Sequence, residues 1–409
     1  MKDLLFLSHR IPYPPNKGDK IRSFHLLQSL ARNYRVHLGT FVDAEEDWQY
    51  VEAVKEMISG ESFFAKLNPA TAKLRSLSGF LTGEALTFPY YKSAKMARFV
   101  AKTLESQPIA KIVVYSAALC QYVDGKKAQT ADRVVDFVDV DSDKWAQYAK
   151  DMSGAKKWFF AREAEKLLTQ ERKIAATFNN SFFVSRAEAN LFKQLAPESV
   201  SKTDYYENGV DQEFFSPKRE YKNPYPPKQI PLVFTGAMGY RPNVDAVVWF
   251  ATEILPIIRQ QIEACHFFIV GGGANQEVEN LQRLPGVTVV GAVDDIRPYI
   301  AYAAVSVAPL RLARGIQNKV LEAMAMARPV VATSQAMEGI TLLPGMEGWI
   351  CDQADIFAKE VLKFLGKNRQ PGDPDNQIAI KAGATGLRCV AEHYNWDKNL
   401  KRVMKVLEG

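Results

Sequence analysis

Cysteine is scarce in this sequence: four in 409 residues, at Cys120, Cys265, Cys351 and Cys389. They lie far apart and follow no metal-ligand spacing. That argues against a disulfide scaffold and a cysteine-based zinc site, and leaves reduced thiols in a cytosolic protein as the expectation. Long apolar runs are missing too. No window approaches the roughly 18 apolar residues of a membrane span. The opening "MKDLLFLSHR" stops at histidine and arginine, far short of a signal-peptide core. Nor does one sign of charge dominate, since 52 Lys+Arg face 46 Asp+Glu for a net charge of +6. That is too mild for a dedicated nucleic-acid binder, so no nucleic-acid partner is expected. Anionic substrates or an anionic membrane surface suit it better. Neither a solenoid-length repeat nor a low-complexity segment is present. The expected location is cytoplasmic, at most in contact with the inner face of a membrane.

What is present is a chain of ordinary globular composition, 47% hydrophobic and 24% charged, whose 409 residues suit two domains. "LLFLSH", a loop "RIPYPPNKGDK", an amphipathic "IRSFHLLQSLARN" and "RVHLGTF" form a βαβ opening, which implies a parallel sheet. "KIVVYSA", "RVVDFVDV" and "SFFVS" read as further buried strands, with one long helical stretch over about 143–176. Residues 216–231, "SPKREYKNPYPPKQIP", are rich in proline and charge and read as a linker. After them the alternation restarts with "LVFTGAM", "HFFIVGGG", "VTVVGAV", "VSVAPL" and "RPVVAT" as strands between helical segments. The fold class is therefore α/β, with two doubly wound, Rossmann-like domains. The first covers 1–215 and the second 230–389, with a terminal amphipathic helix over about 390–409 packing back on the first. Ligands of open α/β sheets bind beyond the carboxyl ends of the strands, so a central cleft between the domains is the expected site.

The segment 314–332, "RGIQNKVLEAMAMARPVVA", carries polar groups at the mouth of a helix. Gly315 precedes an N-terminus whose free N–H groups and dipole attract phosphate. Lys319 and Glu322, three apart, share a face. They suit the phosphates and ribose of a nucleoside diphosphate, although an ordinary amphipathic helix could carry the same pair. "FFIVGGGAN" lacks the third glycine of a dinucleotide fingerprint and reads as a tight turn. "DVD" at 139–141 is the Asp-x-Asp that some metal-dependent sugar transferases use, but so short a motif recurs by chance, and no metal site is expected.

The pieces "ENGVDQEFFSP", "VFTGAMGYRPNVDAVVWF", "FFIVGGG", "VTVVGAVDDIRPYIAYAAVSVAPL" and "GIQNKVLEAMAMARPVVAT" span most of 204–335. In this order they resemble the retaining glycosyltransferases of family 4, which have the GT-B architecture. With "SHRIPYPPNKGDKIRSFHLL" and "VVDFVDVDSDKW", the whole chain looks like the sugar transferases of PEP-CTERM/exosortase exopolysaccharide loci.

The resemblance implies transfer of a sugar from a nucleotide-diphosphate donor to a glycan or lipid-linked acceptor, with retention and with no cofactor required. Its Glu-x7-Glu signature places the ribose-binding glutamate at Glu322. The first glutamate falls on Arg314, a departure that passes its sugar contact to the Gly315, Ile316, Gln317 loop or to Arg314 itself. The diphosphate contacts fall on Lys319 and on the loop with Gly236 and Arg241, and Arg241 reads equally as a helix-entry residue. Gly18, flanked by Lys17 and Lys20, matches the family's glycine loop after the first strand, or else a plain surface turn. A histidine common after a central strand is replaced by Asp139 or Asp141; Asp139 is a candidate acceptor base, while Asp141 or Ser142 suits a helix cap. Basic and aromatic residues over 66–111, with "KKWFFAR" at 156–162, suit peripheral contact with anionic lipid, or a solvated basic face. Two other functions fit the same folds: a sugar-nucleotide epimerase, which needs no acceptor, and a non-catalytic nucleotide-sugar-binding partner.

Overall fold

A computed structural model describes residues 1–16, 18–150, 152–313, 315–366 and 376–409. The chain divides into two compact units, Met1–Glu207 with Asp397–Gly409, and Asn208–Trp396.

The first unit is built on seven parallel strands: β1 (Lys2–Ser8), β2 (Tyr34–Val42), β3 (Ser62–Lys66), β4 (Ile109–Tyr115), β5 (Asp132–Val138), β6 (Asn180–Phe183) and β7 (Thr203–Tyr205). Their order is β3-β2-β1-β4-β5-β6-β7, so it reverses between β1 and β4. Leu4, Leu5, Phe6 and Leu7 are all fully buried. A parallel strand covered on both faces is written as a continuous apolar run, which is why "LLFL" is legible as one. The edge strands β3 and β7 went unread because their sequences, "SFFAK" and "TDY", are short and show neither an apolar run nor alternation.

The expected long helix over 143–176 is two helices, Asp141–Lys150 and Gly154–Thr177. Gly154 has a φ of 59°, a left-handed conformation that costs glycine little and lets the chain turn there. The helices then pack through Trp145 and Tyr148 against Phe159 and Phe160.

One buried network ties the unit together. The Arg22 guanidinium, on the helix Gly18–Asn33, donates to Asp136 on β5 at 2.8 and 3.1 Å and to the Tyr206 carbonyl at 2.9 Å. It lies 3.5 Å from the Tyr206 ring centre, and the Tyr206 hydroxyl bonds to the same carboxylate. Burial works against the Arg22 charge, but Asp136 more than compensates and raises its pKa. The helix Trp396–Glu408 continues the first unit: Arg402 donates to the Tyr205 carbonyl at 3.1 Å, and Asn399 to that of Glu207.

The second unit holds five parallel strands: β8 (Ile230–Thr235), β9 (Cys265–Val270), β10 (Val287–Gly291), β11 (Val305–Ala308) and β12 (Val330–Ala332), ordered β10-β9-β8-β11-β12. All six residues of β8 are buried. Of residues 216–231, read as a linker, Ile230 and Pro231 already belong to β8, and the rest are fastened to this unit. The Tyr225 hydroxyl donates to the Tyr299 carbonyl, Tyr302 donates to that of Tyr221, and the Tyr225 ring packs on Phe268. The helical segment after β8 runs from Arg241 to Gln261 through a π turn at Phe250–Ile254. Pro256, which offers no N–H, follows that turn. Among the described residues no helix is long and apolar enough to cross a membrane.

Candidate functional site

Both sheets reverse their strand order beside the central strand, and the residues with chemistry gather after the strands there. In the second unit the loop after β8 and the helix Asn318–Ala325 meet. The Lys319 ammonium donates to Asn243 Oδ1 at 2.6 Å and lies 4.2 Å from the centre of the Phe234 ring. Asn243 is held in turn by its amide, which donates to the Ala237 carbonyl at 2.8 Å. Gly236 leaves room for this pair: a Cβ there would stand 2.8 Å from Asn243 Nδ2 and 3.1 Å from Lys319 Nζ and push these side chains aside. Gly271 is tighter still, with its would-be Cβ 1.9 Å from the Gly236 carbonyl oxygen.

Glu322 lies one turn further along the helix. Its carboxylate has no hydrogen bond or ion pair among the described residues, although it is crowded by protein. Burial raises its pKa to about 7 against the pull of Lys319. Burial lowers Lys319 to about 7, opposed by Glu322. Burial shifts both groups toward their uncharged forms, neither has an ion-pair partner among the described residues, and both keep some contact with solvent. Perturbed ionisable groups beside a helix mouth make this a candidate ligand site. The N-cap residue of the helix, Gln317, makes no side-chain cap to its first turn, whose N–H groups are therefore free of one. The Asn318 Oδ1 is buried without a partner.

The residues that lead into this mouth are held by the protein itself: Gly315 has a φ of 69°, the Gln317 amide donates to its carbonyl at 3.0 Å, and Ile316 packs against the core. Arg241 is exposed at the first position of the helix that carries Asn243, with no side-chain bond among the described residues. The structure thus brings Gly236, Lys319 and Glu322 together, with Arg241 two residues from Asn243. Arg314 lies outside the described residues, as does Lys17.

Gly18 and Asp139 belong to the first unit. Gly18 opens the helix Gly18–Asn33 and is exposed, with open space where a Cβ would stand. Lys20 is not a free flanking cation, because it is buried and paired with Asp47 at 2.7 Å. Asp139 accepts from Lys144 at 3.2 Å, and Asp141 shares the same ammonium at 3.4 Å. Asp141 starts the helix that follows, and Ser142 bonds through its N–H and hydroxyl to Glu171, whose pKa burial raises to about 7.

Sequence reasoning missed the cluster after β1. The His9 ring stacks on Tyr115 at 5.5 Å, its Nε2 lies 3.6 Å from the Asp19 carboxylate, and its Nδ1 is buried without a partner. Arg10 binds Asp19 at 2.6 Å and Asp43 at 2.7 Å. Burial works against the Asp19 charge, but the neighbouring His9 ring and the charge of Arg10 hold its pKa below the usual carboxylate range. The available signal was "SHR" directly after a buried strand. Nearby, Ser116 and Val138 at the ends of β4 and β5 have φ of 87° and 72°. Such conformations cost about 1–3 kcal/mol each and gather at functional sites.

Residues 229–367 match the family model described as Glycosyl transferases group 1. Solved structures share the architecture over essentially the whole chain. HepE of Anabaena, in complex with UDP-glucose, has a TM-score of 0.64 at 14% identity, covering 100% of each chain. A glycosyltransferase from Rickettsia africae scores 0.62 at 12%, covering 100% of this chain and 98% of its own. An E. coli trehalose-6-phosphate structure bound with UDP-2-fluoro glucose scores 0.64 at 12%, covering 99% of each. The fold is GT-B. Within this GT-B chain, the group 1 glycosyl transferase match takes in β8 to β12 and with them Gly236, Arg241, Lys319 and Glu322. No curated protein matches the chain by sequence.

Proposed function

We propose that this GT-B protein transfers a sugar from a nucleotide-diphosphate donor to a glycan or lipid-linked acceptor, with retention, in exopolysaccharide synthesis. The observation that carries the reading is the unpartnered Glu322 carboxylate beside Lys319, at a helix mouth that also meets the Gly236 loop. Glu322 accepts both ribose hydroxyls. Lys319, Arg241, the Gly315–Gln317 loop and the Asn318 and Lys319 amides that open the helix receive the diphosphate. Negative charge grows on the departing phosphate as the bond to the anomeric carbon breaks, and these donors stabilise it. The acceptor oxygen then bonds to the anomeric carbon on the same face, and its proton leaves with the phosphate. Donor complexes of two structural neighbours contain UDP-glucose or its fluoro analogue, which supports a UDP-sugar as donor.

In the first unit, His9, held by Asp19, together with Asp139 and the Gly18 turn, positions the acceptor. Exposed Leu74, Leu77, Leu81 and Trp158, with Lys73 and Lys157 beside them in sequence, suit a membrane surface that presents a lipid-linked acceptor on its cytoplasmic side.

The test is thermal stabilisation of the purified protein by UDP, GDP, ADP and CDP, first with EDTA and then with magnesium. A ligand at about 100 times its dissociation constant adds about 2.7 kcal/mol. One diphosphate, UDP first, is expected to raise the melting temperature in EDTA. Stabilisation only with magnesium, or by none of the four, overturns the reading.

A further inference from the structure

A large cavity in the second unit lies away from the Lys319 end of its sheet. It has a volume of about 1280 Å³ and is bounded by residues that precede the strands: Gln229 before β8, Ala264 before β9, Tyr302 before β11 and Arg328 before β12. It therefore sits at the amino-terminal edge, whereas Gly236 follows the carboxyl end of β8. The segment 217–229, fastened by its tyrosines, forms its outer wall. The space exceeds that of a typical small-molecule pocket, about 300–1,000 Å³.

Two polar groups in this cavity lack what they need. Arg328 lines it, its Nε is buried, and its guanidinium has no hydrogen bond or ion pair among the described residues. Gln229 lines it too, with its Oε1 buried and unpaired. A buried donor or acceptor left unmet costs about 1–3 kcal/mol, more when charged. The Tyr225 and Tyr302 hydroxyls spend their protons on the Tyr299 and Tyr221 carbonyls and so do not supply Gln229 Oε1 with a donor, and among the described residues neither accepts a hydrogen bond from Arg328. The acids on the wall, Glu220 and Glu263, are exposed and do not pair with Arg328. Burial pulls the Arg328 pKa below its usual value, and the tyrosines Tyr225 and Tyr302 act only partly against it.

We propose that this cavity is a binding site for a small hydroxylated molecule bearing an oxyanion, a sugar phosphate or a sugar acid, with Arg328 on the oxyanion and Gln229 on a hydroxyl. The planar guanidinium fork matches phosphate and carboxylate oxygens in pairs. A ligand hydroxyl donates to Gln229 Oε1, and the tyrosine side chains supply an amphipathic wall for a sugar ring. The site stands apart from the nucleotide reading, since none of its residues belongs to the Lys319 mouth.

Isothermal titration of the full-length protein with glucose 6-phosphate, glucuronate, inorganic phosphate and glucose tests it. Saturable binding is expected from glucose 6-phosphate or glucuronate, with inorganic phosphate weaker and glucose silent; which of the first two is tighter tells phosphate from carboxylate. Binding is expected to persist with UDP present. Arg328→Gln should weaken the tighter ligand about tenfold or more, with a melting temperature no lower than that of the parent protein. Gln229→Leu should weaken the sugar ligand and leave inorganic phosphate unchanged. Absence of binding by all three anions at millimolar concentration, or affinity unaltered in Arg328→Gln, overturns the proposal.

Discussion

Replacing Glu322 by glutamine separates a ligand-binding carboxylate from a structural one, because the two roles predict opposite changes in stability. In the folded protein burial lifts this carboxyl from its ordinary value of 4.5 to about 7. A raised value means that its contribution to stability is fully present below about pH 4.5 and is lost as the pH rises through about 7. At about 1.4 kcal/mol per tenfold change, the ceiling on that loss at pH 8 is about 3 kcal/mol. Attraction to Lys319 returns part of it and vanishes in the variant, and residual solvent contact screens the rest. A gain of about 1–2 kcal/mol is therefore expected for Glu322→Gln at pH 8. For a unit the size of Asn208–Trp396 that corresponds to a rise of about 3–6 °C in melting temperature. At pH 4.5, where the parent carboxyl is protonated, the two proteins should melt together. Calorimetric scans at both pH values check the sign, and titration with UDP checks the role. Losing a charged acceptor of ribose hydrogen bonds should weaken UDP by about 10- to 100-fold. A variant that melts lower at pH 8, or binds UDP unchanged, refutes the reasoning.

Two further expectations concern the first unit. Asp136→Asn leaves the buried Arg22 without its carboxylate, so urea unfolding should show a loss of about 3–5 kcal/mol; a loss below about 1 kcal/mol would mean that the network carries little. Leu81 is 91% exposed and Trp158 62% exposed, so changing both to glutamate should alter stability by no more than about 0.5 kcal/mol each. The same double variant should lose sedimentation with vesicles containing anionic lipid, and equal sedimentation of the two proteins removes the membrane surface.

How much could be read in advance depends on the distance over which each feature is encoded. Parallel strands buried on both faces announce themselves locally, as "LLFL" in β1 and "VSVA" in β11 do, so the two doubly wound units were legible. The Lys319–Glu322 pair was legible for the same reason, since helical spacing alone puts residues three apart on one face. That Glu322 is left without a partner among the described residues was not. It depends on what the β8 loop brings to the helix, and Asn243, which takes Lys319, lies 76 residues away.

The edge strands β3 and β7 escaped because pairing with a neighbour, rather than their own composition, makes them strands. The segment 216–231 looked like a linker because proline and charge dominate it, yet tyrosine hydroxyls fasten it to a wall supplied by distant residues. Composition, periodicity and spacing thus determined the architecture and the helix mouth. Strand order decided the rest: it set Arg22 against Asp136 across 114 residues, and it opened a cavity at the amino-terminal edge of the second sheet where Arg328 has no partner among the described residues. Those pairings exist only between segments that the folded chain makes neighbours, and no local pattern records which segments those are.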